Sequence, residues 1–432
     1  MNTNMTLTCD TCAHDIDCRI GYSNRDIQPL NFACPHCGTL ICITLDITDA
    51  PLSDFEFSGA NPHDDKQYGK FDGRNPFVDL HLDFPVWFGD YQMGMTPYMV
   101  AIQKIKTSGT DANECFMLMQ YHNDRINQLN FFRTKASEVR SILKLYSGKN
   151  KQLFKKRVEQ FIDKELNPSL EPQDINAALY TFVSFVFLPF VHFQPVSQFV
   201  EDFGEVMLNL ANAHGPTFDA FIDHIIETSF LKNLQKDCLD LYPEIYGAEL
   251  PLRPALFLDL IDGYERNKIA ARVSVDDFTT YKDLYKDLAE VFGRQLILIA
   301  GINNIIRRDG HNNFAKPADG PALSSLDKFA DKTLSDKFKY LDDCWYEFDQ
   351  RIVDTKARNA IAHYTAEYDE VSQIITYFPE KEGVRQEQPQ TMYFLDFMYM
   401  LLQLFRDIHY VHHIIKGLFY YEYLIRGPKR SA

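Results

Sequence analysis

The sequence is short of positive charge: 44 Lys and Arg stand against 60 Asp and Glu, for a formal net charge of −16. Phosphate binding needs cations, so this deficit excludes a surface uniformly coated in nucleic acid and leaves room only for a local basic site. The opening stretch "MNTNMTLTCD" lacks a basic start followed by an apolar core, so no secretory signal is expected. There is no Walker loop, no H-E-x-x-H, no G-x-S-x-G and no G-x-G-x-x-G after a strand. Nucleotide-driven and zinc-hydrolase chemistry therefore have no anchor. Internal repeats and low-complexity runs are also missing.

One segment tests the absence of a membrane span. Ile175 to Val200 contains no Asp, Glu, Lys or Arg, which is long enough to cross a bilayer. Pro189, His192, Gln194, Pro195 and Gln198 interrupt it, and its flanks are acidic (Asp174, Glu201, Asp202) rather than Lys/Arg-anchored. The expectation is a buried helix followed by a Pro-broken turn, in a cytoplasmic protein with no membrane partner.

What is present is an ordinary globular composition, 45% hydrophobic and 24% charged, over a length that suits two or three domains. Phe (34) and Tyr (23) are abundant, so aromatic-rich cores or interfaces are expected. Nine cysteines include two C-x-x-C pairs, which in a reducing cytosol point to metal rather than to disulfides.

Those pairs are Cys9 with Cys12 and, after 21 intervening residues, Cys34 with Cys37 in "CPHCG". Two such knuckles can offer Zn²⁺ four thiolates in a tetrahedron. The closed set leaves no position for water, so the zinc is expected to be structural and to take no part in catalysis. His14, Cys18, His36 and Cys42 are spare donors more readily explained by packing or polar contacts.

Along the chain, residues 1–48 read as a small β zinc ribbon and 49–95 as a linker with one strand. In "FVDLHLDF" Val78, Leu80, Leu82 and Phe84 alternate with Asp79, His81 and Asp83, a period-two pattern. A metal site on these three polar residues is a minor alternative to a solvent-facing strand edge. Residues 96–275 form a helical middle, and 276–432 a helical C-terminal domain with a β-hairpin around Glu382 and Gly383. Ser274 is the expected N-cap of a helix over Asp276–Arg307. The expected fold class is mainly α.

Chemistry concentrates in "ARNAIAHY", Ala357 to Tyr364. On a helix Asn359 and His363 share a face, and the long Arg358 side chain can sweep back to them, with small residues between. Spacing alone also allows a solvated arginine and a packed histidine. The run resembles the R-x(4–6)-H signature of the HEPN superfamily, with Arg358, Asn359 and His363 matching in order. The resemblance extends over roughly Asp276 to Ile425 and implies a helical bundle, here with the hairpin inserted.

Many members of that family look like metal-independent endoribonucleases that act as homodimers, and the resemblance implies one composite site across the two-fold. The resemblance implies that His363 transfers protons around the ribose 2′-hydroxyl, near its ordinary pKa of about 6.5. Arg358 would hold the scissile phosphate, Asn359 would orient, and the products would carry 2′,3′-cyclic phosphates. It further implies restraint by the N-terminal regions, by analogy with abortive-infection and toxin nucleases of antiviral defence, with a phage-derived trigger or an inhibitory partner. The alternative is a non-catalytic HEPN adaptor or regulator that binds protein or nucleic acid through the zinc ribbon and helical middle.

RNA would be held by "RTKASEVRSILKLYSGKNKQLFKKR", Arg133 to Arg157, with nine Lys or Arg against one acid, Glu138. Arg133, Arg140 and Lys144 are spaced to share one helix face, and Lys151 and Lys155 another. A solvated pair of helices balanced by acids from elsewhere reads equally well. His409, His412 and His413 fall at helical spacing among apolar residues and are expected to pack.

Overall fold

The fold is given by a computed structural model, which describes residues 1–49, 52–63, 71–86, 89–107, 111–191, 193–260, 272–348, 361, 366–378 and 389–426. It divides the chain into two compact units, one of residues 1–133, 247–283 and 356–402, the other of 134–246, 284–355 and 403–432.

The first unit opens with two antiparallel hairpins. β1 (Asn2–Cys9) returns as β2 (Asp15–Gly21), and β3 (Ile27–Ala33) as β4 (Leu40–Asp46). Each hairpin carries one C-x-x-C pair at its tip. β5 (Asp54–Ser58) then pairs with β4, β6 (Ala60–Pro62) with β1, and β7 (Phe77–Leu80) runs parallel beside β2. The sheet orders are β6-β1-β2-β7 and β3-β4-β5. Alternation along β4 turns Ile41, Ile43 and Leu45 inward, where they meet Leu7, Ile16 and Ile20 of the other sheet in one core. Each such burial contributes roughly 1.5–3 kcal/mol.

The 49–95 segment thus supplies three strands rather than one, because the open edges of β1 and β4 need partners for their backbone groups. Gly59 carries the chain from β5 to β6 at φ +82°, where a Cβ would fall 2.5 Å from the Leu40 carbonyl oxygen. Only glycine fits that crossing.

Helices make up most of the rest, so the chain is mainly α. They are α1 (Pro97–Thr107), α2 (Ala112–Thr134), α3 (Ala136–Ser147), α4 (Lys151–Ile162), α5 (Pro172–Val186), α6 (Phe193–Ala213), α7 (Gly215–Glu227), α8 (Phe230–Leu241), α9 (Glu249–Phe257), α10 (Phe278–Arg308), the short α11 (Leu326–Ala330) and α12 (Leu334–Phe338), and α13 (Phe394–Tyr420). Among the described residues no helix is long and apolar enough to cross a membrane. The charge-free stretch is α5, with Pro172 in its first turn, then a turn and the start of α6. Asn150 caps α4 by accepting the Leu153 N–H at 2.9 Å, and Asp163 stops it in a left-handed conformation.

The start of α10 differs from the expectation. Asp277 caps it, its carboxylate accepting the Thr280 N–H at 3.1 Å. Ser274 Oγ is occupied instead by the His81 N–H at 2.7 Å, a partner 193 residues away that local pattern does not reveal. Near the end of the first unit, β8 (Ala366–Asp369), β9 (Ile374–Tyr377) and β10 (Gln390–Tyr393) form an antiparallel sheet. β9 and β10 are the arms of the expected hairpin, while Glu382 and Gly383 lie outside the described residues.

Neither unit is one consecutive stretch, and the division falls within α10 and α13.

Candidate metal centre

The four cysteines converge. The sulfurs of Cys9, Cys12, Cys34 and Cys37 all lie within 4.8 Å of one another, with Cys9 to Cys37 and Cys12 to Cys34 both at 3.8 Å. A tetrahedron with metal–sulfur arms of about 2.3 Å has edges of about 3.8 Å. The donor set and its spacing fit a single thiophilic metal ion.

Both knuckles are built alike. The Cys9 carbonyl accepts the Ala13 N–H and the Cys34 carbonyl accepts the Gly38 N–H, each at 2.9 Å. One residue on, the Cys9 N–H donates to His14 O at 3.0 Å and the Cys34 N–H to Thr39 O at 2.8 Å. The second cysteines match too: the amide of His14 points at Cys12 Sγ, and that of Thr39 at Cys37 Sγ. Such amides stabilise thiolate charge.

The two ends of the cluster differ electrostatically. The hydroxyl and then the amide of Thr39 pull the exposed Cys37 thiol down to about 6. Burial pushes Cys34 up to about 12, a cost that a cation among the sulfurs reverses. Cys37 is thus the readiest first ligand. His14 and His36 stack on each other with centroids 4.4 Å apart and do not join the sulfur cluster, nor do Cys18 and Cys42.

The other sequence candidates fall elsewhere. Asp79, His81 and Asp83 are buried, not on a solvent-facing edge. Arg19 holds Asp79 with two hydrogen bonds, at 3.0 and 2.5 Å, and Arg253 holds Asp83 at 2.9 Å. The three do not form a metal site, since each carboxylate faces its own guanidinium. Arg253 also reaches Glu249 at 2.5 Å, which Arg25 contacts at 2.9 Å. Only Glu249 with Arg253 is a local pair, four residues apart on α9; the other arginines and acids of this buried network sit too far apart along the chain for sequence to join them.

In the basic stretch, four of the five cations expected to hold RNA make contacts within the chain. Arg133 sits 3.8 Å from Glu249, and Arg140 pairs with Glu244 at 2.7 Å. Lys151 lies over the Tyr146 ring at 4.7 Å and donates to the Tyr146 carbonyl. Lys155 is buried, 4.0 Å from Glu159, where the helix turns it inward with Phe154 and Val158. Lys144 alone of the five is exposed without a described acid partner.

His409, His412 and His413 do pack. The Tyr242 hydroxyl bridges His409 Nδ1 at 3.1 Å and His412 Nδ1 at 3.0 Å, and His413 Nε2 lies 3.3 Å from His409 Nε2. Arg358, Asn359 and His363 lie outside the described residues. No family model, curated protein or solved structure matches the chain.

Proposed function

We propose that the chain is a HEPN-type endoribonuclease that cuts RNA without a catalytic metal, at a composite site made by two copies of the chain. The observation that carries the reading is the run Arg358-Asn359-x-x-x-His363. Support comes from its setting: Ile361, inside the run, is helical and wholly buried, and the run falls between α10 and α13, the two longest helices among the described residues. His363 takes and returns the proton of the 2′-hydroxyl, Arg358 stabilises the growing phosphate charge, and Asn359 orients them. Products end in 2′,3′-cyclic phosphate and 5′-hydroxyl.

Zn²⁺ is the ion we assign to the cysteine cluster, because four thiolates in a tetrahedron suit it and leave no open position for chemistry. Its role is structural. The large remainder of the chain restrains or targets the nuclease, consistent with a role in antiviral abortive infection triggered by a phage component.

The test compares wild type, Arg358→Ala and His363→Ala on a pool of tRNA, rRNA and mRNA without added divalent metal. Cleavage lost in both folded variants, with cyclic-phosphate ends in wild type, supports the reading. A second reading, a non-catalytic adaptor, is favoured by one observation: most of the expected RNA-holding cations are already engaged within the chain. Folded wild type that stays silent with phage lysate fractions added would decide for the adaptor.

A further inference from the structure

The first unit contains an open cavity of about 440 Å³, within the roughly 300–1,000 Å³ of small-molecule sites. Its wall is aromatic on one side, where Phe84 meets Tyr98 edge-on at 5.7 Å. His81, Asp83 and Asn123 supply polar groups.

The protonation pattern of His81 is set by its neighbour. Its Nδ1 accepts the Asp83 N–H at 3.0 Å, and a nitrogen that accepts carries no proton, so the neutral ring bears its hydrogen on Nε2. Burial lowers the imidazole pKa and keeps the ring neutral. Nε2 is thus a donor without a hydrogen-bond partner among the described residues, on a ring that lines the cavity. The ring packs closely on Gly21, which also lines the cavity and where a Cβ would fall 2.4 Å from His81 Cδ2.

Asp83 has the complementary character. Burial alone would raise its pKa, but its neighbours together, the Arg253 charge first among them and the Ser23 and Arg253 hydrogen bonds with it, hold the carboxyl below its ordinary value. It is therefore an anion that only accepts hydrogen bonds. Arg253 and Ser23 occupy part of its capacity, out of about four lone-pair positions. Since Arg253 balances its charge, the site does not call for a net cation.

An N–H donor beside an acceptor-only group, next to an aromatic wall, matches a planar heterocycle with an acceptor adjoining two donors. We propose that this cavity binds a guanine base, with O6 toward His81 Nε2, the N1–H and N2–H₂ edge toward Asp83, and the ring against Tyr98. Adenine offers the carboxylate one donor fewer, and uracil and cytosine turn a second acceptor toward it. The proposal does not rest on the nuclease reading.

Calorimetric titration of the full metal-loaded chain with guanosine, adenosine, uridine and cytidine tests it. Guanosine should bind saturably and at least tenfold tighter than the others. Tyr98 is 41% exposed, so Tyr98→Ala removes the stacking face without disturbing a core and should weaken guanosine about fivefold to a hundredfold. Asp83→Asn, where it folds, should erase the guanosine preference. No saturable binding at millimolar nucleoside, equal binding of all four, or a Tyr98→Ala variant that binds as wild type would each overturn the assignment.

Discussion

Ala13 and Gly38 hold the same place in the two knuckles, the fourth residue after the leading cysteine, and both are left-handed, at φ 57° and 75°. Each donates its N–H to that cysteine's carbonyl at 2.9 Å, so the turn demands the conformation whatever the side chain. A Cβ strains it by about 1–2 kcal/mol. At Gly38 an added Cβ would find only Val371 Cγ2, at 3.8 Å, so the penalty is conformational rather than steric. Gly38→Ala should therefore cost about 1 kcal/mol after the gain from a stiffer unfolded chain, read as a lowered urea midpoint. Ala13→Gly should be neutral or slightly stabilising by the same measure. Equal loss from both changes would contradict the shared geometry.

The cysteine cluster predicts one zinc per chain by elemental analysis. Cys12→Ser and Cys34→Ser should reduce that content and lower the melting temperature. Cys42→Ser, outside the cluster, should keep the full equivalent. Chelation should destabilise the protein by well under the roughly 10–16 kcal/mol that binds zinc to a bare finger peptide, because Leu7, Ile16, Ile41 and Ile43 already form a core. A wild type that melts identically with and without chelator, and carries no zinc as purified, would remove the centre.

Local chemistry was legible in the sequence; distant pairing was not. The four cysteines could be assigned together because knuckle spacing is a property of a few neighbouring residues. The buried helix within Ile175 to Val200 followed from the same local rules. The alternation across Val78 to Phe84 correctly gave a strand at Phe77–Leu80 but the wrong surroundings for its polar residues. Arg19 is 60 residues from Asp79 and Arg253 is 170 from Asp83, and only these partners allow the acids to be buried. Glu249 and Glu244 likewise cancel charges of the basic stretch from far along the chain. The left-handed Ala13 gave no signal, since the residue there is not glycine.

Arg253 is wholly buried and contacts Asp83, Glu249 and Asn130. Arg253→Ala should destabilise the protein by about 3–5 kcal/mol, the usual effect of leaving buried carboxylates unpaired. Arg140→Ala, breaking a pair in which both partners are half-exposed, should cost less than about 1 kcal/mol. Denaturant unfolding of the two variants side by side checks the contrast; comparable losses would mean the Arg253 network is not the ion trap that its burial indicates.

The imidazoles around Tyr242 predict acid sensitivity. Burial lowers His409 to about 4 and pushes His412 and His413 well below the ordinary range, with the nearby His409 adding to the effect. A histidine unfolded at about 6.5 but depressed when folded binds its proton more readily in the unfolded chain. Its contribution is therefore fully present above pH 6.5 and lost as pH falls toward 4. By pH 5.5 each should have surrendered about 1.4 kcal/mol, so the three together produce a steep decline. Unfolding free energies measured between pH 7.5 and 5.5 should show it, with net proton uptake on unfolding in the same range. A flat profile would mean that these rings are already protonated in the folded protein, which the His409–His413 nitrogen contact at 3.3 Å does not permit, because two imidazolium N–H groups cannot share it.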